Sequence, residues 1–139
     1  MHHVLISLAA NVNPKKNLCN ARKALAQVLS QTVYTEELWT EPCSPIPSLP
    51  SNDAKQQDAS RKEGRQRLYL NQLVSAETTL STEQLNQRLK EIEVQMGRTP
   101  EHRRQRLVPL DLDLMEYDGE RHHLPDWQRP YMQLLLKLI

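Results

Sequence analysis

Phenylalanine is absent from this 139-residue chain, and glycine occurs only three times. So few glycines leave little material for backbone loops that wrap a phosphate, and there is no Walker-type or Rossmann glycine run. Cysteine is nearly as scarce. Cys19 and Cys43 are the whole supply, and their spacing is not that of a metal-ligand set. Cys19 falls in a helical pattern and reads as a small buried hydrophobe. A structural disulfide stays open, but nothing else in the chain suggests export. No apolar run reaches the roughly 20 residues needed to span a bilayer. The N-terminus lacks the basic, apolar and small-residue succession of a leader, so a reducing cytoplasm is the expected setting. Charge of either sign is also not in excess: 18 Lys and Arg against 17 Asp and Glu give a net +1 with neutral histidines. Bulk electrostatics therefore do not point to nucleic acid or a membrane, and any anion site must be local.

What remains is a polar globular composition, 38% hydrophobic and 25% charged. Length predicts one domain, residues 1–139, large enough to bury a core. Residues 4–9 (VLISLA) read as a strand apolar on both faces, hence central in its sheet. A turn follows. Pro14 or Lys15 then opens a helix with Asn13 as its cap, and Leu18, Ala21, Arg22, Leu25, Val28 and Leu29 carry its stripe through Ser30. Lys15, Lys16, Arg22 and Lys23 are expected on a solvated face. Residues 31–39 read as one second strand. Residues 43–66 hold Pro45, Pro47, Pro50, Gly64 and many polar residues with no apolar period, which predicts a long mobile insertion loop.

Residues 67–80 read as a third strand, with Leu68, Leu70, Val74 and Ala76 on one face and Tyr69, Asn71, Leu73 and Ser75 on the other. Ser81 and Gln84 have capping-box spacing. Leu85, Leu89, Ile92 and Met96 then mark a helix that Gly97 stops. Residues 98–109 form a basic segment with Arg98, Arg103, Arg104 and Arg106 between Pro100 and Pro109. Asp118-Gly119 signals a hairpin after a last strand. Residues 124–131 read as irregular, and the apolar stretch 132–139 as a short helix on the sheet. His2 and His3 read as idle. His122 and His123 are adjacent, so at most one faces a site. The order β-α-β-β-α-β plus a tail is α+β and ferredoxin-like, an antiparallel sheet with helices packed on it. That order names no function.

The chemistry concentrates in Leu110-Asp111-Leu112-Asp113-Leu114. In a strand the leucines face a core and both aspartates share the other face, their Cα atoms roughly 7 Å apart. Carboxylates that close repel one another. A cation relieves the repulsion, and hard oxygen ligands suit Mg²⁺ that also carries substrate phosphates. The arginines just upstream supply matching donors for a polyphosphate. A plain strand with one wet face is the alternative reading of these five residues.

Set in order, several short motifs resemble the 6-hydroxymethyl-7,8-dihydropterin pyrophosphokinase family from residue 4 to about residue 132. They are Ile6-Ser7-Leu8-Ala9-Ala10-Asn11 (the family has Gly-Ser-Asn after its strand), Thr40-Glu41-Pro42, Tyr69-Leu70-Asn71, Ile92-Glu93 followed by Gly97-Arg98, and Asp111-Leu112-Asp113. The resemblance implies transfer of pyrophosphate from ATP to the pterin in folate biosynthesis. It implies a pair of Mg²⁺ ions on Asp111 and Asp113, with Arg98 and Arg104 as further catalytic residues. It implies a pterin pocket of Thr40, Pro42, Tyr69, Asn71 and Tyr131. It implies nucleotide contacts from Glu93, Arg98, Arg104, Arg121, His123 and Arg129. Small-molecule partners alone and a monomer are expected, with the loops 43–66 and 97–109 closing over the substrates.

The chain departs from that pattern at several places. Arg106-Leu107-Val108 replaces a Gly-Pro-Arg block, Gln105 a stacking tryptophan, and Pro100 a loop arginine. Pro125-Asp126 replaces Pro-His. These changes leave open a degenerate homologue that binds pterin or nucleotide without turnover; for the lost groups themselves, Arg103 and Arg106 in a shifted loop and the ring of Trp127 are the possible substitutes. A ferredoxin-like interaction or RNA-binding module is a remote alternative, disfavoured by the missing aromatics and the acidic central strand.

Overall fold

The structure is a computed structural model, and it describes residues 1–40, 68–97 and 107–138. In chain order the elements are β1 (His2–Ala10), α1 (Pro14–Leu25), β2 (Ser30–Tyr34), β3 (Leu38–Thr40), β4 (Tyr69–Thr78), α2 (Thr82–Gln95), β5 (Asp111–Tyr117) and β6 (Glu120–Arg121). A 3₁₀ turn (Leu124–Gln128) and a last helix, α3 (Pro130–Leu136), complete them. The sheet runs β2-β4-β1-β5-β6, with β3 also paired to β4, and every pairing is antiparallel. This is the expected α+β, ferredoxin-like architecture. No helix among the described residues is long and apolar enough to cross a membrane.

β1 is central because both of its faces are apolar. Val4, Ile6 and Leu8 join a core with Leu18, Ala21 and Leu25 of α1, Leu85, Leu89 and Ile92 of α2, and Leu110, Leu112 and Leu114. Leu5 faces the other way, into a second core with Leu73, Met115, Trp127, Met132 and Leu135. Helices therefore cover both faces of the sheet, α1 and α2 one of them and α3 the other. Segment 124–131, expected to be irregular, is the 3₁₀ turn and the start of α3. Pro125 and Pro130 stand there at the second and first positions of their helical turns, where a missing N–H costs nothing.

Two expectations near β2 need correction. α1 stops at Leu25 rather than Ser30, and Asn13 caps it in a left-handed conformation without a side-chain hydrogen bond. The expected single strand 31–39 is two strands, broken at residues 35–37. At the break Thr35 is buried. Its hydroxyl accepts from the Leu73 N–H at 3.1 Å, and Gln72 Nε2 donates to its carbonyl at 2.7 Å. Arg22 is not simply solvated: it donates to Gln72 Oε1 at 2.8 Å and to Glu37 Oε2 at 3.1 Å. These bonds tie α1 to the break and interrupt the strand's alternation.

The signals around α2 hold. Ser81 Oγ accepts from Gln84 N at 3.2 Å, while Gln84 Oε1 accepts from Ser81 N at 3.0 Å. Gly97 ends the helix with φ +97°, which a Cβ would strain. Ser81→Ala is expected to remove about 1 kcal/mol of stability, read as a lower midpoint in urea at unchanged slope. The β5–β6 turn has φ 49° at Asp118 and 88° at Gly119, the signature of a tight primed hairpin. His2 is not idle. Its Nδ1 lies 2.7 Å from Asp118 Oδ2, and its ring stacks on Tyr117. His3 Nε2 lies 3.0 Å from Ser75 Oγ. The predicted loop 43–66 lies outside the described residues.

Candidate active site

The face of the sheet under α3 changes character along its length. At one end Leu5, Leu73 and Met115 are covered by Trp127, Met132 and Leu135. Toward the end of β1, the same face carries small and polar residues. Register places Ser7 between Leu73 and Asp113, and Ala9 between Asn71 and Asp111. Asn71 and the Asp111 backbone thus flank Ala9 from strands about 10 Å apart, two strand spacings. The result is a trough with a small-residue floor, an amide on one side and two carboxylates on the other.

The strand alternation read from Leu110 to Leu114 is what builds the acidic side. The three leucines are buried in the first core, and Asp111 and Asp113 are half-exposed on the trough face. Burial pushes the Asp113 carboxyl up to about 6, and the Asp111 charge adds to the rise. His123 opposes it, while Glu93 and Asp126 add further negative charge. His123 Nε2 lies 3.8 Å from Asp113 Oδ1. A cation-free carboxylate held so far above its ordinary range is a group that gains from a positive charge. Among the described residues no group of three or more His, Cys, Asp and Glu is arranged to hold a metal ion. A pair of carboxylates is nonetheless the donor set that Mg²⁺ takes when phosphates and water complete its shell.

On the amide side, Asn71 is buried. Its Nδ2 donates to the Leu38 carbonyl at 3.2 Å, to Thr40 Oγ1 at 2.7 Å and to the Tyr69 carbonyl at 3.4 Å. Its Oδ1 accepts no hydrogen bond among the described residues. Thr40 pairs with Tyr69, and Leu38 with Asn71, so β3 forms the outer wall. Tyr131, in the first turn of α3, packs at the edge of the second core with Leu38.

The remaining candidates are spread around this trough. Glu93 is buried on α2 and its Oε2 accepts from the Leu112 N–H at 2.7 Å. The Arg121 guanidinium lies 4.1 Å over the Trp127 ring. Arg129 Nε donates to Asp126 Oδ1 at 3.0 Å, so Asp126 has a cation beside it. Trp127 is not an available ring: it is buried in the second core, and its Nε1 donates to the His122 carbonyl at 2.9 Å. Pro42, Arg98 and Arg104 lie outside the described residues, as do Pro100, Arg103, Gln105 and Arg106. One tether had no assigned role in the sequence. Asn11 Oδ1 accepts from the Val108 N–H at 2.6 Å, and the Val108 carbonyl accepts from the Asn11 N–H at 2.8 Å. Only the asparagine ending the first motif marked it in advance.

The described residues thus set two carboxylates of β5 and a buried amide of β4 on one face of an α+β sheet, on either side of the small residues of β1. The chain belongs to the 7,8-dihydro-6-hydroxymethylpterin-pyrophosphokinase family, whose model matches residues 5–137. The family is one of pterin pyrophosphokinases, transferases of folate biosynthesis that use ATP as co-substrate. No curated protein matches the chain.

Proposed function

We propose that this protein is itself a Mg²⁺-dependent enzyme, moving the β,γ-pyrophosphoryl group of ATP to the hydroxymethyl oxygen of 6-hydroxymethyl-7,8-dihydropterin, with AMP as the other product. The observation that carries the reading is the placement of Asp111 across Ala9 from Asn71, with Asp113 two residues along the same strand face, in a chain matched to this family over residues 5–137. Mg²⁺ bound by the two aspartates would neutralise the triphosphate and bring it to the acceptor oxygen. Asn71 presents an amide oxygen to the N–H groups of the pterin edge, with its own nitrogen anchored on Leu38 and Thr40. Thr40 and Tyr69 border that pocket, Pro42 is proposed as a further pterin residue, and Tyr131 supplies the ring against the pterin plane. His123 sits beside Asp113, where it can hold a phosphate oxygen as well as the carboxylate. Arg98, Arg104, Arg121 and Arg129 serve the nucleotide side. The chain acts as one unit, a cytoplasmic monomer with small-molecule partners.

A homologue that binds without turnover is the second reading. What favours it is Trp127, which is built into the core and so does not replace the tryptophan whose place Gln105 takes. A transfer assay decides between them. Purified protein with Mg-ATP and the hydroxymethyl pterin is expected to yield AMP and the pterin diphosphate in equal amounts. Binding of either substrate by calorimetry without AMP would overturn the enzyme reading in favour of the second.

A further inference from the structure

β5 is held by β1 on one side, from the Ala9–Asp111 pair to Val4–Tyr117. On its other side β6 reaches only Glu116 and Tyr117. The outer edge of β5 beside the two aspartates therefore has no strand partner among the described residues. The N–H of Leu112 points to this edge and is buried, a place where an unpaired donor is costly. α2 supplies the acceptor: Glu93 Oε2, at 2.7 Å. Glu93 is itself buried. A carboxylate acceptor makes a stronger and shorter bond than a neutral one, and so a stiffer tether.

Leu112 is the residue between the two aspartates. Its side chain is locked in the first core, and its backbone sets the directions of Asp111 and Asp113 on the opposite face. We infer that Glu93 is a positioning residue for the metal-binding pair, holding the β5 backbone at Leu112 so that both carboxylates meet one cation site. The Asn11–Val108 tether fixes the same chain a few residues upstream, and the two clamps bracket Asp111. The inference rests on the proposed reading of Asp111 and Asp113. It differs from the nucleotide role that the family resemblance implies for Glu93.

The test compares Glu93→Ala and Glu93→Gln with wild type, in the full-length protein. It uses Mn²⁺ as the probe ion, amide exchange at Leu112, and kinetics in parallel. Glu93→Ala is expected to lose Leu112 protection, to weaken Mn²⁺ binding by about tenfold or more, and to lower kcat by a similar factor with the KM for ATP nearly unchanged. Glu93→Gln keeps an acceptor and is expected to restore protection and most of both losses. The inference is overturned by an alanine variant with wild-type Mn²⁺ affinity, or by a loss confined to the KM for ATP. It is also overturned by a glutamine variant as impaired as the alanine. Should the alanine variant fail to fold, Glu93→Asp replaces it. Its shorter side chain draws the carboxylate away from the Leu112 N–H, so it must weaken Mn²⁺ binding without changing the KM for ATP, and unchanged Mn²⁺ affinity overturns the inference. A wild type that binds Mn²⁺ but makes no AMP would sink the enzyme reading and leave the exchange and ion-binding comparisons to decide this one.

Discussion

Asp113→Asn is expected to make the metal-free protein more stable at neutral pH while cutting pyrophosphoryl transfer by about a thousandfold or more. Both effects have one origin. Asp113 is held partly out of water beside Asp111, and its carboxyl sits at about 6 instead of 3.8. A folded-state value above the unfolded one means that the folded protein binds the proton more tightly. The resulting stability is fully present below the ordinary carboxylate range and is lost as pH rises through about 6. At pH 7 and above, the metal-free protein carries the whole electrostatic cost. The shift sets a ceiling of about 3 kcal/mol. The side chain is 31% exposed, and solvent screening brings the expectation to about 1 kcal/mol. That corresponds to a rise of about 2–5 °C in midpoint.

Calorimetry in chelator at two pH values checks the sign. The variant should unfold at a higher temperature than wild type at pH 7.5, and the gap should narrow markedly at pH 4.5, where the wild-type Asp113 is itself protonated. Mg²⁺ with a non-hydrolysable ATP analogue should reverse the order, because only wild type then gains a ligand. Binding of Mg²⁺ to wild type should weaken as pH falls through about 6, since the cation and the proton compete for one carboxylate. A variant less stable than wild type in chelator at pH 7.5, or one that keeps its transfer activity, contradicts the account.

The residues involved show which parts of the molecule could be read in advance. The Leu110–Leu114 alternation has period two, and a buried face enforces it, so the direction of Asp111 and Asp113 was readable from five letters. The Ser81–Gln84 box and the Asp118-Gly119 turn are equally local, each complete within four residues. The break at residues 35–37 is different. It depends on Thr35 meeting Leu73 and on Gln72 meeting Thr35, partners 37 and 38 positions apart. Arg22 looked solvated for the same reason, its partners Glu37 and Gln72 being invisible from its own helix. Residues 124–131 read as irregular, although Pro125 and Pro130 fall where proline can start helical turns. In the site, composition and spacing marked the aspartates, but the trough itself exists only through register. Nothing local says that Ala9 lies between Asn71 and Asp111.

That register carries the second large effect. Ala9→Leu is expected to weaken pterin binding by about a hundredfold, with ATP binding within a few-fold of wild type. Ala9 lies on the face of the second core, beyond its edge, and is a member of neither core. A longer side chain there projects between Asn71 and Asp111 rather than into packed protein. It fills space that the ligand ring needs, and overpacking of that kind costs about 1–3 kcal/mol. The fold should tolerate it, with a thermal midpoint close to wild type. Ala9→Gly is the matching control: it clears the floor and is expected to keep or raise pterin affinity. Calorimetric titration with the pterin, in the presence of Mg²⁺ and the ATP analogue, separates the outcomes. Equal affinity in the leucine variant would mean that the pterin does not lie across β1, and the pocket would have to be sought away from Asn71. Loss of both ligands together with the fold would mean that Ala9 is packed, contrary to its place outside both cores.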